Sequence, residues 1–141
     1  MSPLKLDEDL VPIRNLARIK STALGYEDHG ILTAWLHVEY EDHGGQGIGG
    51  YCLDEWNPDH HRREGTAYGT DWIIGVLRAV PCERWENLTG KLIYVLTKKP
   101  TYAGTGYENV LGIEGLAMNK GTAFYFENLR LRHFKDEAKV G

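Results

Sequence analysis

The sequence predicts an α+β fold in one domain, a single twisted antiparallel sheet with one main helix packed across a face. Three observations predict it. Residues 31–40 alternate strictly, with Leu32, Ala34, Leu36, Val38 and Tyr40 on one face and Thr33, Trp35, His37 and Glu39 on the other. Residues 68–80 carry Trp72, Ile73, Val76, Leu77 and Val80 at helical spacing, the stripe of a helix lying on a sheet. Along the chain the order is strands, helix, strands, which is the α+β pattern and not a repeating βαβ one. A chain of 141 residues can bury one core and is short for two. The domain is expected over residues 16–135, with an N-terminal arm at 1–15 and a C-terminal tail at 136–141.

The elements follow in order. Residues 17–26 read as a strand broken up by small residues, ending at the first Glu-Asp-His-Gly. The alternating strand at 31–40 is followed by a second Glu-Asp-His-Gly and a third strand at 48–53, giving a meander. The stretch 54–65, "DEWNPDHHRREG", reads as a polar loop. Pro81 stops the helix, residues 84–88 form a short helical turn closed by Gly90, and 92–98 is a strong apolar strand. Residues 100–109 read as a long loop, 110–118 as a Gly-interleaved strand, and 122–134 as a short C-terminal helix or strand.

Composition excludes several classes. The hydrophobic fraction of 42% with 26% charged residues is that of a folded soluble protein. A net charge of −4 without a Lys/Arg stripe argues against a nucleic-acid polymer as partner. The polar, acidic N-terminus and the lack of a long apolar run predict neither a leader nor a membrane span. Cys52 and Cys82 are too few and too far apart for a disulfide framework or a zinc knuckle, so two reduced thiols are expected.

The repeated Tyr-Glu-Asp-His-Gly at 26–30 and 40–44 invites a shared metal or acid–base site. A ten-residue strand at about 3.3 Å per residue holds the two copies roughly 30 Å apart, so they cannot share one. Turn chemistry suffices for both: Asp bonds turn N–H groups and Gly supplies a positive φ. In "DHHRRE" at 59–64, His60 and His61 are adjacent and diverge, without a metal-site spacing; Arg62 and Arg63 precede a helix and suit an anion. The run "GGQGIGG" lacks the Lys and Ser/Thr of a phosphate loop and reads as a hairpin with a bulged strand. Trp35 and His37, on the face away from the core, and Tyr102, Tyr107, Phe124 and Tyr125 suit an interface or a base-stacking surface. Neither a nucleophile elbow nor an activated thiol is apparent, and the chain reads as a binding protein needing no metal or cofactor.

Residues 19–54, "IKSTALGYEDHGILTAWLHVEYEDHGGQGIGGYCLD", together with "YGTDWIIGVLRAV", "WENLTGKLIYV" and "NKGTAFYF", resemble the phage Thoeris anti-defence proteins of the first type. The resemblance extends over roughly residues 18–128. It implies a protein acting in the host cytoplasm that sequesters cyclic ADP-ribose isomers without cleaving them. Some members of that family also hold cyclic oligonucleotides of CBASS-type defence at separate sites. It implies a homo-oligomer, a dimer and in some cases a hexamer, with pockets between protomers. The chemistry such a ligand requires points to Arg62 and Arg63 for phosphate, and to Tyr102, Tyr107, Phe124 or Tyr125 for stacking. Asn119 and Lys120 are candidates for base-edge or ribose contacts. Two rival readings are a small nucleotide hydrolase using His29 or the His60/His61 pair, and an inhibitor docking the Trp35/His37 face onto a host protein.

Overall fold

The computed structural model describes residues 11–41, 44–99 and 109–134. Among these residues eight strands and two α-helices follow one another: β1 (Ile13–Asp28), β2 (Ile31–Tyr40), β3 (Gly45–Gly49), β4 (Asp54–Asn57), β5 (Arg62–Gly65), α1 (Ala67–Ala79), β6 (Leu92–Thr97), β7 (Val110–Gly115), β8 (Ala123–Tyr125) and α2 (Phe126–His133). Six strands form one antiparallel sheet in the order β3-β2-β1-β6-β7-β8, and β4 and β5 form a separate ribbon. The α+β architecture, a six-stranded antiparallel sheet with one main helix and a short C-terminal helix, is the one the sequence predicts.

β1 begins at Ile13, within the stretch assigned above to an arm, and its irregular spelling has a physical reason. Its register against β2 shifts between Ile19 and Ser21. The bulge moves the alternation by one, so Ala17 and Ile19 before it share a face with Thr22 and Leu24 after it, opposite Tyr40, Val38, Leu36 and Ala34. β1 and β2 join through His29 (φ 52°) and Gly30 (φ 77°), a two-residue turn with both centres left-handed, as the right-handed twist of a hairpin requires. The second copy of the pentapeptide sits at the other end of β2, where Tyr40 N–H donates to Gly44 O at 2.7 Å; its Asp42 and His43 lie outside the described residues.

β3 occupies Gly45–Gly49, three residues earlier than expected, and pairs with β2 without a register shift; residues 50–53 leave the strand. The glycines serve Trp35. A Cβ at Gly47 would stand 3.0 Å from its ring, and one at Gly50 2.5 Å from its Cη2, so the indole lies flat on bare backbone.

α1 starts at Thr66, whose hydroxyl accepts from Gly69 N–H at 2.9 Å. Trp72, Val76, Ala79 and the flanking Val80 meet Ile19, Leu36, Ile48, Ile93, Val95 and Ile113 of the sheet, all of them buried. The C-terminal ambiguity resolves into both elements, the three-residue β8 followed by α2. Phe126 and Leu129 of α2 enter the same core, and His133 Nε2 sits 2.8 Å from Asp71 of α1.

Candidate ligand-binding site

The polar stretch 54–65 is a hairpin and not a loop, with Arg62 and Arg63 opposite Asn57 and Trp56. Asp54, its side chain 1% exposed, receives Arg63 through both nitrogens, Nε to Oδ2 at 2.9 Å and Nη2 to Oδ1 at 2.8 Å. Leu32 N–H donates to the same carboxylate at 3.1 Å. The hydrogen bonds from Arg63 hold the Asp54 carboxyl below the usual carboxylate range, against the opposing effect of its burial. Arg62 Nε lies 2.8 Å from Glu64, which also takes His60 and Asn57; the His60 bond is the foremost cause of Glu64's lowered pKa. Both guanidiniums thus rest on carboxylates of their own chain. This hairpin is a clasp joining β2 to the start of α1, and a phosphate there would compete with Asp54 and Glu64.

Among the proposed aromatic contacts, Tyr102 and Tyr107 lie outside the described residues. Phe124 is half-buried in an aromatic cluster with Trp72 and Phe126, at ring separations of 6.3 and 5.1 Å, and its ring covers Gly75. Tyr125 turns to the opposite face of the sheet, opposite Gly112. Asn119 and Lys120 are exposed in a tight turn after β7, with Lys120 at φ 61°. The structure therefore does not gather the candidates: the arginines, Phe124, Tyr125 and the Asn119/Lys120 turn stand in separate places.

Asn119 does line a recess, with residues that no linear motif marks. The middle of β1, the start of β6 and the end of β7 surround a hollow of about 230 Å³ lined by Arg18, Lys91, Asn119 and the exposed Met118, among others. Arg18 donates through Nη1 to Gly90 O at 2.7 Å, which fixes the guanidinium without neutralising it. Among the described residues neither Arg18 nor Lys91 pairs with a carboxylate. Arg18 and Leu92 also border a second recess of about 530 Å³, lined further by Leu16, Lys20, Glu39 and Glu41. Register explains the layout: Arg18 of β1 faces Glu39 on one side and Leu92 on the other. Lys20, displaced by the bulge, reaches Glu39 at 3.6 Å. Among the described residues the pair of hollows offers two cations without a carboxylate partner, an amide and an aliphatic floor, with Glu39 and Glu41 on the border of the larger one.

The histidines proposed for catalysis are apart. His29 is the first centre of the β1–β2 turn, His60 is on Glu64, and His61 holds a left-handed turn position at φ 51°. Among the described residues no group of three His, Cys, Asp or Glu side chains is placed to hold a metal ion. His37 stacks on Trp35 at 6.2 Å, within 10° of parallel, so Trp35 is packed between His37 and the glycines of residues 47–50. The Cys52 thiol donates to Asp54 O and the Cys82 thiol to Arg84 O. Comparison with protein-family models, with curated proteins and with solved structures finds no match.

Proposed function

We propose that the chain is a non-enzymatic sponge that holds a small cyclic nucleotide signal of the cyclic ADP-ribose class in the host cytoplasm and so keeps it from a bacterial defence effector. The observation that carries the reading is the Arg18–Lys91–Asn119 recess, where two cations that pair with no carboxylate among the described residues border an aliphatic hollow. The adjoining volume of about 530 Å³ falls within the range of about 300–1,000 Å³ typical of small-molecule sites. A pyrophosphate on Arg18 and Lys91 would leave the nucleoside over Leu92 and Leu16. No described helix is long and apolar enough to cross a membrane.

The test is calorimetric titration with a glycocyclic ADP-ribose, followed by heat release and chromatography of the ligand. Saturable binding with intact recovery is expected. Each charge-assisted hydrogen bond contributes about 1.5–3 kcal/mol, so Arg18→Ala or Lys91→Ala should weaken binding by about ten- to a hundredfold. Arg62→Ala should leave affinity unchanged. Absence of heat, or recovery of a cleaved product, would discard the sponge.

A further inference from the structure

β3 is an outermost strand of the sheet, with β2 on one side and, among the described residues, no strand on the other. The hydrogen bonds fix which of its residues face outward. Tyr40 N–H donates to Gly44 O and Gly50 N–H to Ala34 O, and the register keeps that parity through Gln46 opposite Val38 and Ile48 opposite Leu36. Gln46 and Ile48 therefore spend their N–H and C=O groups on β2, while Gly45, Gly47 and Gly49 turn theirs away. Every outward-turned residue of the strand is a glycine. Charges and Pro, the usual guards of an open edge, are absent from the whole run of residues 44–53. Only the shortness of the strand and the positive φ of Gly49 (119°) limit the edge.

Two features beside it say what it takes. The Trp35 ring fills the place of a Gly47 side chain: a Cβ there would stand 3.0 Å from Cε3, with His37 Nδ1 at 3.6 Å. A residue facing Gly47 from a neighbouring strand would have its Cβ about 5 Å from that place, against the indole. Towards Gly45 a recess of about 570 Å³ is bordered by His37, Gln46, Glu39 and Glu41. Lys20 answers Glu39 only at 3.6 Å, across an exposed pair.

We propose that β3 takes an added antiparallel strand from a partner protein, an extended segment with an apolar residue facing Gly47 and a Lys or Arg facing Gly45. The inference stands independently of the ligand reading. Backbone donors and acceptors repeating every second residue are matched by another extended peptide, and the antiparallel sense continues the sheet. In that sense the residue facing Gly45 follows the one facing Gly47 by two, so both side chains emerge on the Trp35 face. The apolar one covers the indole. The basic one enters the recess bordered by Glu39 and Glu41, on a chain whose net charge of −4 favours it. The residue between them turns to the opposite face.

Fluorescence anisotropy of the full chain with a labelled peptide, Ser-Thr-Val-Thr-Lys-Thr-Ser, tests the edge. Saturable binding is expected. Methylating the backbone nitrogens of Val and Lys removes the two N–H groups that would meet the Gly47 and Gly45 carbonyls, and should weaken binding by about thirtyfold. Methylating the two Thr nitrogens on either side of Lys removes N–H groups that point away, and should change little. Glu41→Lys, an exposed change, should weaken binding by about three- to fivefold and reverse the preference towards a peptide with Glu in place of Lys. Absence of binding, equal losses from the two methylation patterns, or an affinity indifferent to Glu41→Lys would overturn the proposal. A dimer in sedimentation equilibrium that excludes the peptide would overturn it too, since a second copy would then hold the edge.

Discussion

Gly69→Ala should destabilise the protein even though the residue is inside α1. Helix propensity alone favours Ala by about 1 kcal/mol. Gly69, however, is buried where α1 crosses residue 53: an added Cβ would fall on the Leu53 carbonyl oxygen, with Leu53 C and Cα both at 2.8 Å. These are backbone atoms, so no rotamer change relieves the clash. The same carbonyl accepts from the Thr66 hydroxyl at 3.0 Å and from Thr66 N–H, so moving α1 away strains the helix cap and the approach to Asp54. Overpacking costs about 1–3 kcal/mol, here at its upper end, and a weakened hydrogen bond adds about 1 kcal/mol. Against the propensity gain the net loss is about 2–3 kcal/mol, or a Tm lower by about 6–9 °C for a domain of this size. Thermal and urea unfolding followed by circular dichroism read it directly. Gly75→Ala is the matched control: it has the same propensity gain, but its Cβ would meet the Phe124 ring at 2.7 Å, a side chain that can move, and its loss should be smaller. A Gly69→Ala protein as stable as wild type would refute the reasoning.

Asp54 predicts an acid limb. Its folded pKa is depressed, so the stability it contributes is fully present above the unfolded value of about 3.9 and is lost as pH falls through the lower folded value. Asp54→Asn should flatten that part of a urea-midpoint profile while lowering stability at neutral pH; an unchanged profile would remove the clasp from the account. Gly50→Ala should be destabilising, since φ is 78° and the Trp35 ring occupies the Cβ position. Pairing it with Trp35→Ala should recover the steric share and leave the backbone share, giving a double-mutant coupling of about 1–3 kcal/mol; strict additivity would deny the contact.

Legibility in the sequence followed covered faces. β2 and α1 were readable because each packs one face on the core, so their apolar residues repeat at 2.0 and 3.6. The β4–β5 ribbon has no such face: of residues 54–57 and 62–65 only Asp54 is buried, the exposure does not alternate, and a polar stretch gives no strand signal. β3 was misplaced because its glycines carry no hydrophobic pattern; their meaning lies in Trp35, on another strand. Arg63 showed as a cation, but its commitment to Asp54, nine residues earlier, depends on a hairpin that was not visible. Arg18, Lys91 and Asn119 come from three segments and meet only because the middle of β1 lies beside the start of β6 and the end of β7. Residues 122–134 were ambiguous because they are in fact two elements, with strand-favouring aromatics at 124–126 and then Arg and His placed in the last turn of a helix.

The stagger of β1 also sets an order of assembly during synthesis. Ala17 and Arg18 are bonded on both sides, but Ile13–Leu16 lean on β6 alone, while Ser21 onward leans on β2 alone. The partner on one side emerges from the ribosome immediately, across a two-residue turn. The partner on the other is encoded after the ribbon and α1, so Ile13 waits for Thr97. A nascent chain can thus complete β1–β3 as a local meander while the first quarter of β1 stays uncovered. The last half of the protein then acts on it as an intramolecular chaperone: β6 arrives already carrying its apolar face and closes the strand that has waited longest.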